Sequence, residues 1–112
     1  MEILKKKKDF QRVYRRGYSA ASGALVLYLF RNKGLGRRFG FSVGKKTGKA
    51  VVRNRVRRIL REICRLNEGW FPQDCDVVII ARREAAGKNY QDLSGQLYNL
   101  ARRLGRKITA KG

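Results

Sequence analysis

The sequence predicts one α+β domain in which a mixed four-stranded sheet is covered by helices. Segments with apolar residues at three- and four-residue spacing predict three helices, and short runs rich in strand-forming residues predict four strands. Their order along the chain is αβββαβα. Because neither a repeat nor a linker divides the 112 residues, we expect a single domain spanning 1–112.

The N-terminal segment combines a basic arm with a short helix. Residues 1–6 lead into a run of lysines, so we expect them to form a flexible basic tail. The helix is predicted from apolar residues at positions i, i+3 and i+4, which are Phe10, Val13 and Tyr14. Asp9 can cap its start, and Gly17 is well placed to end it.

Four segments carry the residues typical of strands: 18–23, 25–30, 39–43 and 76–81. The glycine-containing turn between the second and third predicts that residues 25–43 form a hairpin. Alternation places Ser42 on the face opposite its neighbours. Tyr28 interrupts an aliphatic run, and both core packing and an exposed role stay open for it. Asp74 and Asp76 are read as the polar start of the last strand rather than as metal ligands, since no third ligand lies nearby.

Residues 50–66 predict an amphipathic helix with one apolar and one basic side. At about 100° per residue, the apolar arc contains Val52, Val56, Ile59, Leu60, Ile63, Cys64 and Leu66. On the opposite side, arginines follow one another at four-residue spacing: Arg53, Arg57, Arg61 and Arg65. Like charges at this spacing repel. A polyanion along the helix offsets that repulsion, and each phosphate contact also releases a counterion.

The last helix is predicted from a leucine stripe formed by Leu93, Leu97, Leu100 and Leu104. Asn89 is the expected N-cap and Gly105 the expected stop. We expect residues 106–112 to form a second flexible basic tail.

Positive charge dominates the composition. The chain has 28 basic and 8 acidic residues, a net charge of +20. Thirteen of the basic residues and one acid lie within 31–65. Such a surface suits a nucleic acid or an anionic membrane. The membrane alternative ranks lower, because the basic helix lacks the aromatic residues typical of membrane-surface helices. No signal peptide or spanning segment is predicted, and a reducing cytoplasm fits the two cysteines.

Several enzyme classes are disfavoured by the residues present. There is no histidine for general acid–base catalysis, and the acids are scattered rather than clustered for a two-metal site. The loop between Gly44 and Lys49 does not meet the spacing of a nucleotide-binding P-loop. Cys64 and Cys75 have no partners for a zinc site. We therefore expect neither catalytic nor metal-binding residues, and a chain that binds phosphates rather than cleaving them.

The segment Ala50-Val51-Val52-Arg53-Asn54-Arg55-Val56-Arg57-Arg58, with its Arg-Asn-Arg signature, follows the strand at 41–43 and the pair Lys45-Lys46. In this respect the chain resembles the protein component of bacterial ribonuclease P, and the resemblance extends from about residue 4 to residue 105. It implies a left-handed βαβ crossover, in a fold like domain 2 of ribosomal protein S5. The handedness departs from the usual right-handed rule.

The resemblance implies a subunit of an endoribonuclease. The catalytic RNA, which requires Mg²⁺, would perform the reaction, and the protein itself would need no cofactor. The expected partners are that RNA, in a 1:1 holoenzyme, and precursor tRNA, whose 5′ leader is removed; no membrane is expected, and the location is cytoplasmic. A ribosomal protein or a general RNA chaperone is the alternative.

Two groups of site residues follow from the resemblance. The catalytic RNA would contact Lys45, Lys46, Lys49, Arg53, Asn54, Arg55 and Arg58. The precursor-tRNA leader would contact Phe10, Tyr14, Tyr28, Ser42, Arg57 and Arg61. From the residues alone, the aromatic members serve equally well as core packing, whereas exposed rings would stack on any base.

Overall fold

A five-stranded mixed sheet with helices on both faces forms the domain in the computed structural model, which describes residues 1–110. The α+β class and a single domain are confirmed, and the sheet has one strand more than the four expected. The elements in order are β1 Glu2–Ile3, α1 Lys7–Arg16, β2 Tyr18–Ala21, β3 Leu25–Arg31, β4 Arg38–Val43, α2 Ala50–Leu66, β5 Cys75–Ala81 and α3 Tyr90–Ala110.

The sheet is organised around β5. The prediction that residues 25–43 form a hairpin is wrong, because β3 and β4 do not pair with each other. The strand order is β1-β4-β5-β3-β2, so β5 lies between the two strands that were expected to pair. It pairs antiparallel with β3 and parallel with β4. Six of its seven residues are buried, on both faces of the sheet, and such a strand is most stable with a neighbour on each side. β4, α2 and β5 form the expected βαβ unit; the handedness of this crossover stays a prediction.

Residues 2–3 and 106–110 carry regular structure, in segments that were expected to be flexible tails. β1 pairs in parallel with β4, and the amide of Leu4 donates to the carbonyl of Phe39 at 2.8 Å. Leu4 is buried against α1 and the sheet, which anchors the N-terminal segment. The helix α3 passes through Gly105 instead of ending there, because Ile108 extends the leucine stripe into the core. Residues 111–112 lie outside the described part of the chain.

The larger core lies between the sheet and the pair α2 and α3. The expected apolar positions of α2 are buried at Val56, Leu60, Ile63 and Cys64, and the leucine stripe of α3 is buried throughout. Leu66 is an exception, with 58% of its surface exposed, because the helix ends there. Asn89 caps α3 as predicted, since its side-chain oxygen accepts from the amide of Asp92 at 2.9 Å. Burial raises the pKa of the Cys64 and Cys75 thiols, as expected of core cysteines.

The opposite face of the sheet is covered by α1 alone. A smaller core of Leu4, Val13 and Val78 lies beneath this helix. Gly17 ends α1, and its backbone comes so close to the carbonyl of Leu29 that a Cβ atom would collide with it. Asp9 does not cap the helix; it lies in the first turn, 3.8 Å from the guanidinium of Arg38.

Asp76 lies at the α1-covered end of this sheet face and is fully buried. Its two carboxylate oxygens accept from Nε and Nη2 of Arg38, both at 2.8 Å, and Oδ1 also accepts from the side-chain Nδ2 of Asn32 at 2.9 Å. The carboxylate in turn raises the pKa of Arg38. This bidentate pair connects β4 to β5.

Candidate nucleic-acid interface

The polar side of α2 presents a continuous basic surface. Asn54, Arg58, Arg61 and Arg65 are exposed, and Arg53, Arg55 and Arg57 are half-buried. A shallow groove of about 290 Å³ is lined by Asn54, Arg57, Arg58 and Arg61. Both of the groups expected to bind RNA therefore contribute residues to one groove.

Almost no carboxylates lie close enough to the arginines of this basic surface to neutralise their charge. Its one acid, Glu62, accepts from Nε of Arg65 at 2.7 Å. Among residues 1–109, no carboxylate lies within ion-pair distance of Arg57, Arg58 or Arg61. The repulsion expected from the sequence is present in the folded chain, so a bound polyanion would stabilise this surface.

Arg57 connects the basic surface of α2 to the sheet. Its guanidinium donates to Oδ1 of Asn54 at 3.2 Å and approaches the carbonyl of Val43 at 3.5 Å, at the end of β4. Val43 directly follows Ser42, so the arginine lies at the border between the basic surface and the α1-covered sheet face. Arg61, one helical turn further on, lies beside Met1 instead.

Arg55 has a structural contact that the sequence did not reveal. Its Nη2 donates to the carbonyl of Ala86 at 2.6 Å and its Nη1 to the carbonyl of Lys88 at 3.4 Å. These bonds hold α2 against the 3₁₀ segment Arg83–Gly87. The guanidinium is therefore only in part available to a phosphate. No such contact exists for Arg58 among the described residues.

Three lysines lie before and at the start of α2. Lys45 and Lys46 belong to a 3₁₀ turn, Lys45–Thr47, and Lys49 is the N-cap residue of the helix; all three are exposed. Thr47 is buried between them, where its hydroxyl approaches the carbonyl of Ala81 at 3.5 Å and orients the turn. The first turn of α2 contains no acid, so the positive end of its dipole and the lysines favour an anion together.

An aromatic cluster lies where α1 crosses the sheet. The ring centroids of Phe10 and Tyr14 are 6.3 Å apart, and those of Tyr14 and Tyr28 are 5.2 Å apart. Phe10 packs directly over Gly40, where any larger residue would collide with its ring, and it is partly buried against the smaller core. Tyr14 is 39% exposed, and Tyr28 is half-buried beside it. All three rings therefore pack on the sheet and keep some exposed surface, and Tyr14 is the most exposed of them.

Sheet register brings Ser42 to the same face as Tyr28. Tyr28 is paired with Val78, and Ser42 with Ile80, one pleat along the same strand β5. Partial burial raises the pKa of Tyr14, and the neighbouring Ser42 hydroxyl offsets this rise in part. The three residues surround a patch of sheet that α1 leaves partly exposed; we call this patch, with Tyr14, Tyr28, Ser42 and Ile80, the open sheet patch.

Tyr14, Tyr28 and Ser42 were named as site residues from the sequence. The apolar residues that lie beside them on the sheet were not identified. Val26 and Ile80 are paired across β3 and β5, and both are only partly buried. Period-two alternation places them on the face of Tyr28, which is the available signal. The short length of α1 was predicted, but which strand residues the helix leaves partly exposed depends on its packing on the sheet, which no local pattern encodes.

Neither a metal site nor a membrane-spanning helix is found in the described part of the chain. Within the described residues, no group of three His, Cys, Asp or Glu side chains could hold a metal ion. None of the helices described is long and apolar enough to cross a membrane.

Known proteins resemble this chain over most of its length. A family model described as Ribonuclease P matches residues 1–105. The ribonuclease P protein component of Desulforamulus reducens is 53% identical over 97 residues, which are 87% of this chain and 86% of that protein. The component of Pelotomaculum thermopropionicum is 45% identical over 104 residues, covering 92% of each chain.

Solved structures give the same result for the fold. The RNase P protein of Staphylococcus aureus superposes with a TM-score of 0.83 at 33% identity, covering 91% of this chain and 94% of that one. The protein from Thermotoga maritima gives 0.82 at 31% identity, covering 92% and 97%.

Proposed function

This chain belongs to the ribonuclease P protein family, and from that premise we propose how it acts as the protein subunit of the enzyme. The α2 surface binds the catalytic RNA, and the open sheet patch holds the 5′ leader of precursor tRNA. Holding both RNAs at adjacent places promotes endonucleolytic removal of the leader at the mature 5′ end.

One observation carries this proposal: Arg57, which lines the arginine groove of α2, approaches the carbonyl of Val43, the residue that follows Ser42 of the open sheet patch. A single-stranded leader needs a surface on which bases can stack and cations that follow its phosphates. Tyr14 and Tyr28 offer ring faces or edges, and Arg57 and Arg61 offer charge beyond them. The leader would therefore cross from the sheet to the helix at the end of β4.

The catalytic RNA is assigned to the surface around the start of α2. Lys45, Lys46, Lys49, Arg53, Asn54 and Arg58 supply charge and an amide there, and phosphate contacts of this kind position an RNA without reading its sequence. Arg55 has a mixed role in this assignment, because two backbone carbonyls already accept from it.

Catalysis itself is assigned to the RNA subunit with Mg²⁺, and no residue of this chain is assigned to the metal or the scissile bond. We expect one protein per catalytic RNA in a cytoplasmic holoenzyme, with no cofactor held by the protein. The protein would contribute by positioning the substrate, which lowers the barrier through orientation rather than bond chemistry.

Reconstitution tests the proposal. Purified protein is added to the catalytic RNA at low Mg²⁺, and cleavage of precursor tRNA is followed at the mature 5′ end. We expect cleavage to rise with protein and to saturate at one protein per RNA. A general RNA chaperone would give no stimulation that depends on the leader, and that result would overturn the proposal.

A further inference from the structure

A second aromatic and basic surface lies on the α3 side of the sheet, away from the open sheet patch. A groove of about 650 Å³ separates the 3₁₀ turn Glu68–Trp70 from the last turns of α3. Its apolar walls include Trp70, Pro72 and Ala101, and Arg102 and Arg106 stand at its rim. We call it the α3 groove. No part of the function proposed above uses it.

The aromatic side of the α3 groove is pre-organised. The rings of Trp70 and Tyr98 meet edge to face, with centroids 5.1 Å apart and an interplanar angle of 66°. The guanidinium of Arg102 lies 5.7 Å from the centre of the Tyr98 ring, a cation–π contact that holds its charge beside the groove. Tyr98 is 40% exposed and Trp70 is partly exposed.

The two charged residues that line the α3 groove, Arg102 and Arg106, are both basic, and Glu68 in the bordering turn does not line it. Residues 93–110 contain four basic residues and no acid. Among residues 1–109, no carboxylate lies within ion-pair distance of Arg102 or Arg106. Cations near the C-terminal end of a helix also complement its dipole, which explains their presence on α3. The dipole does not explain why they border a partly exposed tryptophan in a groove.

We propose that the α3 groove binds an unpaired nucleotide of an RNA segment other than the leader. The base would stack on Trp70, and its flanking phosphates would contact Arg102 and Arg106. Aromatic walls with a cationic rim suit a nucleotide, because every base has a π-face and every linkage carries a charge. An acidic peptide would satisfy the rim but leave the ring without a stacking partner.

The single tryptophan of the chain makes this site directly observable. Trp70 lies in the α3 groove, so its fluorescence reports a base stacked there and not one in the open sheet patch. The intact protein is titrated at physiological salt with a short unstructured oligoribonucleotide and, separately, with inorganic polyphosphate. We expect saturable quenching by the oligoribonucleotide alone. Equal quenching by polyphosphate would show that only charge is sensed and would overturn the proposal.

Two glycines of α3 supply a matched pair of variants. A Cβ atom at Gly105 or at Gly95 would meet no atom within 4 Å, so either position accepts a side chain. Gly105 lines the α3 groove and Gly95 does not. Gly105→Gln should fill the groove and lower oligoribonucleotide affinity about tenfold, within the range of one base–ring stack. Gly95→Gln should keep the wild-type affinity, and equal affinities for the two variants would contradict the proposal.

Charge is tested by a second matched pair. Arg102→Gln removes a rim cation, whereas Arg103→Gln removes its neighbour, whose side chain reaches the carbonyl of Ala21 on β2 instead. Only Arg102→Gln should reduce the quenching amplitude. Tyr28→Leu, on the other sheet face, should leave quenching unchanged; a parallel loss there would indicate a single shared site and refute a second one. Leader-dependent cleavage is measured separately, so the two proposals fail independently.

Discussion

The two faces of the sheet use aromatic rings in different ways. On the face covered by α2 and α3, Phe39 and Phe71 are fully buried, with centroids 5.5 Å apart at 80°. On the face covered by α1, Tyr14 and Tyr28 make a similar contact at 5.2 Å and 68°, yet Tyr14 remains 39% exposed. The ring geometry hardly differs. What differs is the cover: helices of 17 and 21 residues on one face and one of 10 on the other.

The largest expected effect is a loss of stability on removing Asp76, which is buried at the α1-covered end of the sheet face. Asp76→Ala removes the carboxylate that Arg38 and Asn32 contact and leaves a nearly buried guanidinium unpaired, so we expect a loss of about 3–5 kcal/mol in the free energy of unfolding. Urea denaturation measures it. Glu62→Ala is the control, because it removes the same charge from an exposed ion pair and should cost under about 1 kcal/mol. Similar losses would show that the α1 face has no buried anchor.

The next prediction compares the loss of unfolding free energy on truncating one aliphatic residue on each face of the sheet. Leu60→Ala opens a cavity in the larger core and should cost about 2–5 kcal/mol of unfolding free energy. Ile80→Ala, in the open sheet patch, should cost clearly less, because Ile80 is partly exposed and less contact is lost. The same denaturation experiment measures both. An Ile80 loss as large as that of Leu60 would mean that the patch is closed in solution.

Removing an aromatic ring should weaken precursor-tRNA binding on one face of the sheet and lower stability on the other. Tyr28→Leu keeps apolar volume but removes the ring, so the reconstituted holoenzyme should lose about 1–3 kcal/mol in precursor-tRNA binding. Its affinity for mature tRNA should be unchanged. Phe39→Leu, on the other face, should lower the unfolding free energy and leave the preference for precursor intact. An equal loss of precursor and mature tRNA binding by Tyr28→Leu would remove the leader from this patch.

The smallest effect distinguishes two arginines of α2. Arg58→Ala should lower the salt slope of catalytic-RNA binding by about one and change the unfolding free energy by less than about 0.5 kcal/mol. Arg55→Ala should also lower the unfolding free energy, by about 1–3 kcal/mol, because the carbonyls of Ala86 and Lys88 lose their donor. Filter binding across salt concentrations, with parallel denaturation, measures both. Identical behaviour of the two variants would contradict the assignment of Arg55.

The features predicted correctly from the sequence are those that depend only on residues close together in the chain. The apolar arc of α2 and the leucine stripe of α3 follow from helical periodicity, and the cap at Asn89 follows from its side-chain chemistry. The basic surface on α2 was also predictable, because a charge pattern on a helix is fixed once its apolar side is known. The approach of Arg57 to Val43, next to Ser42, depends on how α2 packs on the sheet, which neither local pattern encodes.

The errors arise where distant parts of the chain compete. The turn at 31–38 favoured a hairpin, but β5 offers two buried faces and outcompetes the local pairing. Ile108 carries α3 past Gly105, because burying its side chain outweighs the roughly 1 kcal/mol that a helical glycine costs. The contact of Arg55 with Ala86 depends on a loop 31 positions away. No neighbouring residue encodes these outcomes.

Photocrosslinking from position 28 tests the central claim most directly. A photoreactive phenylalanine replaces Tyr28 in the open sheet patch, or Tyr90 at the start of α3 as an exposed control, and each protein is assembled with the catalytic RNA and precursor tRNA. We predict adducts from position 28 that map to the 5′ leader, and none to the leader from position 90. Adducts that fall only within the mature tRNA, or equal leader adducts from both positions, would contradict the account.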